Sequence, residues 1–62
     1  MPVITIEGSK LSKEQKSKLA KEMTISAASI MNIPEQAFIV LIKENELDNI
    51  GVGGQLLSDR KA

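Results

Sequence analysis

The 62-residue sequence contains neither histidine nor cysteine. An imidazole base, a thiolate nucleophile, a Ser-His-Asp triad and Cys/His zinc sites are therefore excluded. Any catalytic proton transfer falls to a carboxylate, a lysine or the chain terminus. Glu7, Glu14 and Glu44 are candidate carboxylate bases. They fall in predicted turns and a predicted first helical turn, where exposed carboxylates act through solvation and the helix dipole, so they are set aside. Gly51-Val52-Gly53-Gly54 neither leads from a strand into a helix nor completes a dinucleotide fingerprint. It reads as a structural turn, not a phosphate cradle.

Composition narrows the partners. Eight basic residues balance eight acidic ones, and Phe38 is the one aromatic. Neither the positive field nor the stacking platform of a nucleic-acid binder is present, and no nucleic-acid partner is expected. The longest apolar run, residues 37–42, is far too short to span a bilayer, and no signal-like segment precedes the first predicted strand. The expectation is a soluble, cytoplasmic protein with no membrane partner. A chain of this length makes one domain, over residues 1–62, and such a domain buries only about 60% of its unfolded surface. Without disulfides or Cys/His metal sites, self-association is the remaining route to stability.

The elements that would position any site follow from local patterning. Val3-Ile4-Thr5-Ile6 is β-branched throughout and follows a proline, which is tolerated at a strand start. Glu7-Gly8-Ser9-Lys10 supplies turn chemistry. Ser12-Lys13-Glu14-Gln15 fits a capping box, so a helix starts there. Leu19, Met23, Ala27 and Ile30 recur at helical spacing as its predicted buried stripe, opposite Lys13, Ser17 and Lys21. Asn32 suits a helix C-terminus and Pro34 disfavours helical geometry at Ile33, which ends the helix near Met31 or Asn32. Ala37-Phe38-Ile39-Val40-Leu41-Ile42 is continuously apolar, the pattern of a central strand covered on both faces. A polar connection over residues 44–49 and a glycine-rich hairpin or bulged arm complete the chain. The fold class is α+β: a β-α-β unit with parallel strands, right-handed by the crossover rule, plus a short C-terminal β-hairpin. One such unit covers a two-stranded sheet on one side only, so oligomerisation is expected to complete it.

In their order and spacing, the Met1-Pro2 start, the Glu7-Gly8 turn, the Glu14-Gln15-Lys16 helix start, Pro34 before the second strand and the Gly51-Val52-Gly53-Gly54 arm cover nearly the whole chain. Together they resemble the 4-oxalocrotonate tautomerase family. The resemblance implies a homo-oligomer built from dimers, commonly a hexamer formed as a trimer of dimers. It implies an isomerase that interconverts enol and keto forms of unsaturated 2-oxo acids without metal or organic cofactor. The catalytic base and acid that it implies is the N-terminal amine of Pro2. That amine exists only after Met1 is cleaved, because a proline nitrogen inside a peptide bond is not basic.

Other site residues are expected from placement. Ile39 and Ile50 are candidate pocket walls, and a parallel register brings Pro2 near Phe38 and Ile39. Lys10 and Lys43 each follow the C-terminal end of a predicted parallel strand, on the edge opposite Pro2, and are candidate partners for the substrate carboxylates. At about 3.3 Å per strand residue, Lys10 lies of order 20 Å from its own Pro2 if the segment is extended. An antiparallel two-fold partner would bring that edge to the other subunit's Pro2, making an intersubunit site. The sequence departs from the family pattern. Well-known members carry an arginine in the turn where this chain has Ser9-Lys10, a second where it has Ile39, and an aromatic where it has Ile50. Lysine offers a point charge in place of a bidentate fork, and isoleucine offers none. A catalytically inactive oligomeric scaffold of the same fold is thus the main alternative, and another reaction at Pro2, hydration or decarboxylation, is a third.

Overall fold

A computed structural model describes residues 1–60. Its elements are β1 (Val3–Gly8), α1 (Lys13–Met31), β2 (Ile39–Glu44), β3 (Gly51–Val52) and β4 (Gln55–Leu56), with single 3-10 turns at Glu35–Ala37, Leu47–Asn49 and Leu57–Asp59. β1 and β2 are parallel, with α1 as the crossover, and β3 and β4 form an antiparallel hairpin. No described helix is long and apolar enough to cross a membrane.

The helix begins and ends where its sequence signals stand. The Ser12 hydroxyl accepts from the Gln15 amide at 3.1 Å, and the Gln15 side chain accepts from the Ser12 amide at 3.0 Å, a reciprocal capping box. At the other end Asn32 adopts the left-handed region at φ 57° and ψ 46°. That turn lets the Ile33 amide donate to the Ala28 carbonyl at 3.2 Å, the six-to-one bond of a Schellman ending. Pro34 then directs the chain outward into the Glu35–Ala37 turn.

The second strand starts later than its apolar run predicts. Ala37 is consumed by the 3-10 turn, whose amide at Phe38 donates to the Glu35 carbonyl at 3.1 Å, so β2 opens at Ile39 and runs on through Lys43 and Glu44. β1 likewise extends through Glu7 and Gly8, residues whose turn chemistry had suggested an earlier end. The ladder pairs Val3 with Ile39 through Gly8 with Glu44. It is prolonged at one end by the Ile39 amide donating to the Pro2 carbonyl at 3.0 Å and at the other by the Asn45 amide donating to the Gly8 carbonyl at 2.8 Å.

In the arm, Gly53 and Gly54 both have positive φ, 62° and 84°, which a tight two-residue hairpin turn requires and which glycine adopts without strain. The Leu57 amide donates to the Ile50 carbonyl at 2.8 Å and closes the hairpin base.

Burial departs from expectation in two places. Alternation gives the sheet one sheltered row, Ile4, Ile6, Val40 and Ile42, and one open row, Val3, Thr5, Ile39 and Leu41. Within one chain β2 therefore has a single strand neighbour and one uncovered face, because one helix can lie against only one side of the pair. The helix stripe is also displaced. Leu19 and Ala27 are half-buried, but Met23 is exposed and Ile30 is 84% exposed, while Ala20, Thr24 and Ala28 share the sheltered side. Small residues allow the closest approach to a sheet, so the contacting band is turned towards them and away from Met23 and Ile30.

No described residue is fully buried, and the accessible surface is 5034 Å². A folded monomer of this mass, 6.7 kDa, is expected to expose about 3,900 Å². The chain thus shows about 1,100 Å² more, exceeding the ~800 Å² that a standard interface covers on each partner. Open apolar side chains on the outer sheet face, Val3 at 55% and Leu41 at 50% exposure, contribute to that excess.

Candidate active site

At the sheet's opening edge the residues around position 2 are apolar. Pro2 is half-buried and continues the sheltered row of Ile4 and Ile6. Its carbonyl is fixed by the Ile39 amide. The register continued by one step sets Pro2 beside Phe38, which is also half-buried and extended, at φ −90° and ψ 145°. Ile39 stands on the open face, next to Val3 and Leu41. Phe38 is therefore on the proline's own side of the sheet, whereas Ile39, expected as a pocket wall, meets Pro2 through its backbone amide and turns its side chain to the opposite face. With Met1 in place, the Pro2 nitrogen is an amide and carries no basic lone pair.

The lysines lie at the other edge. Lys43 does not follow β2, as the sequence had suggested, but lies inside it and pairs in register with Glu7. The longer strand accounts for this, since Lys43 is four positions beyond Ile39, about 13 Å along the sheet. Lys10 occupies the loop after β1, where its ammonium is 3.4 Å from a Glu46 carboxylate oxygen. Both partners are well exposed, so this pair is worth little to stability. Ile50 is half-buried at the base of the hairpin, where its amide donates to the Leu47 carbonyl at 3.3 Å. Within one chain, Pro2 and Ile39 come together, Lys10 and Lys43 lie at the opposite end, and Ile50 lies in the chain that leaves that end.

Glu44 is the residue whose role patterning missed. It is not merely a solvated carboxylate. Oε2 accepts the Leu11 amide at 2.9 Å, and Oε1 lies 3.2 Å from the Lys16 ammonium. The Leu11 hydrogen bond first, and the Lys16 hydrogen bond and charge with it, hold the Glu44 carboxyl below the usual carboxylate range. Those partners are 33 and 28 residues away in sequence, beyond the reach of any local motif. Lys16, within the helix start, is the only hint the sequence offers.

The chemistry available is therefore divided between an apolar edge carrying a proline and a polar edge of closely matched opposite charges. A protein-family model described as "Tautomerase enzyme" matches residues 2–60. Among solved structures, DmpI from Archaeoglobus fulgidus is 36% identical, covering 94% of this chain and 100% of its own, with a TM-score of 0.86. An apo unfused 4-OT is 34% identical, covering 94% and 97%, also at 0.86. YwhB, a homologue of 4-oxalocrotonate tautomerase, is 28% identical, covering 97% and 100%, at 0.90. No curated protein sequence matches the chain.

The lowered Glu44 value gives a signed pH dependence. Below the ordinary 4.5, the unfolded chain takes up the proton before the folded one does, so falling pH favours unfolding. The contribution is fully present above that ordinary value and is lost as pH falls through the folded value. Thermal melts at one fixed protein concentration should show Glu44→Ala less stable than the parent at pH 7, with the gap closing as pH falls below 4.5 and through the lower value of the folded state. A gap independent of pH contradicts the ionised clamp.

Proposed function

The chain belongs to the tautomerase family, and from that premise we propose that it is a cofactor-independent keto-enol tautomerase of unsaturated 2-oxo acids, working through the amine of Pro2 once Met1 is removed. In this reading it is a single domain over residues 1–62 and a cytoplasmic homo-oligomer, a trimer of dimers. The observation that carries it is the family match beginning at Pro2 itself, on a residue whose carbonyl is fastened to the sheet edge.

The mechanism follows from the properties of that nitrogen. A free secondary amine is protonated at neutral pH unless its surroundings penalise the charge, and apolar neighbours do so by withholding solvation. Phe38 and the half-buried row ending in Pro2 supply that environment, and the Ile39 amide fastens Pro2 beside them. A neutral amine accepts the enol O–H proton as the carbonyl forms, and the resulting ammonium delivers a proton to carbon along the conjugated acid. The amine ends as it began, and a value near the working pH serves both steps.

The substrate's carboxylates call for cations. Lys10 and Lys43 of a neighbouring subunit fill that role if antiparallel pairing brings their edge to Pro2. Ile50 enters as an apolar wall from the same partner. The uncovered row Val3, Ile39 and Leu41 offers the surface for such assembly, and the excess of exposed area is sufficient for it.

The inactive scaffold has an observation in its favour. Lys10 is already engaged by Glu46, and Lys43 stands across from Glu7, so neither is an unopposed cation.

Three outcomes check the proposal. Mass spectrometry of protein produced in cells should show Met1 removed, and blocking the new terminus by methylation or an added residue should abolish tautomerisation while the oligomer persists. Turnover by the blocked protein would remove Pro2 from the mechanism, and an oligomer without turnover in the unblocked form would favour the scaffold. Leu41→Lys, which places a charge in the open apolar row, should shift the protein towards smaller species in analytical ultracentrifugation. An unchanged sedimentation coefficient would place the subunit contact elsewhere.

A further inference from the structure

The loop of residues 9–12 is held from both sides. At its start the Gly8 carbonyl receives the Asn45 amide, and at its end the Leu11 amide is bound by Glu44, the last residue of β2. Lys10 lies between these two fastenings. The second carboxylate oxygen of Glu44 reaches Lys16 one turn into α1, so one side chain ties strand, loop and helix together. This pair is the most sheltered of the ion pairs among the described residues, with side chains 34% and 28% exposed.

Helix initiation does not account for Glu44, because the Ser12–Gln15 capping box binds two amides of the helix start and Glu44 binds none of the helix's own amides. The amide that Glu44 takes belongs to Leu11, outside the helix and next to Lys10. Binding the Leu11 amide restrains the peptide that joins Lys10 to Leu11 and narrows the backbone freedom of the lysine. Glu46, two residues beyond Glu44, holds that ammonium through an exposed and therefore weak pair, which an incoming carboxylate can displace.

We propose that Glu44 is a positioning residue: by binding the Leu11 amide and Lys16 it holds the loop 9–12 against the end of β2 and so sets where the Lys10 ammonium stands to receive a carboxylate of the substrate. The inference rests on reading Lys10 as a substrate-binding residue. The ligand class is a 2-oxo acid, whose carboxylate a held ammonium can recognise.

The test uses the Met1-free oligomer, with 2-oxoglutarate as the binding probe followed by NMR and with steady-state tautomerisation measured alongside. Glu44→Ala should weaken probe binding and raise KM about three- to tenfold, the scale of one ordinary hydrogen bond. Its kcat should stay within about twofold of the parent, as expected when ground-state and transition-state binding are lost equally. Lys10→Ala should do the same, and the double variant should be no worse than Lys10→Ala alone, since Glu44 acts through Lys10. Glu44→Gln, which keeps an acceptor for the Leu11 amide, should recover most of the loss and serves as the readout if Glu44→Ala fails to fold.

Faster exchange of the Leu11 amide in Glu44→Ala with unchanged probe affinity would overturn the proposal, as would losses that multiply in the double variant. A parent that binds the diacid but turns over nothing removes the tautomerase reading and leaves this one standing. A parent that turns over a 2-oxo acid indifferently to Lys10→Ala does the reverse.

Discussion

One helix lying across two parallel strands covers one face of the sheet and leaves the other bare. The rest of the molecule is organised around that inequality. On the covered side, small residues of the helix lie with Ile4, Ile6, Val40 and Ile42, and none of these is fully buried. On the bare side, Val3, Ile39 and Leu41 present an apolar strip that a polar solvent does not favour. Because side chains alternate along a strand, both rows arise from the same six-residue segments. The apolar surface available for assembly and the edge carrying Pro2 are thus parts of one sheet, through which the proposed function would couple assembly to chemistry.

The sheet's two ends have opposite characters. Around Pro2 the neighbours are apolar, which suits an amine that is to lose its proton easily. At the other end the charges come in opposed sets: Lys10 with Glu46, Lys16 with Glu44, and Lys43 across from Glu7. Such matching gives no strong net field there. Recognition of an anion would depend on where a particular ammonium is held, not on a general positive potential, which gives the Glu44 clamp its significance.

Much of this was legible in the sequence wherever the controlling interactions are local. Ser12 and Gln15 cap one another across three residues, Asn32 and Pro34 end the helix within a turn, and Gly53 and Gly54 adopt the positive φ that their hairpin needs. The parallel pairing followed from strand, helix and strand in that order. What was not legible depends on distant partners. The apolar run from Ala37 suggested an earlier strand start, but the 3-10 turn after Pro34 uses Ala37 and shifts β2 to Ile39. Hydrophobicity put Met23 and Ile30 on the helix's inner stripe, whereas Ala20, Thr24 and Ala28 take the sheltered side. Of the candidate site, Pro2 beside Ile39 emerges within one chain. Lys10, Lys43 and Ile50 stand apart from both within one chain, and Glu44 was invisible because its partners lie about half the chain away.

The central claim is that the Pro2 nitrogen, once uncapped, sits in surroundings that disfavour its protonation. A nitrogen-15 NMR titration of that nitrogen in Met1-free oligomer tests it most directly. The midpoint should lie clearly below that of a short, solvated peptide beginning with proline, and should move back towards the peptide's value when the oligomer is dissociated. A midpoint equal to that of the peptide in the intact oligomer would contradict it.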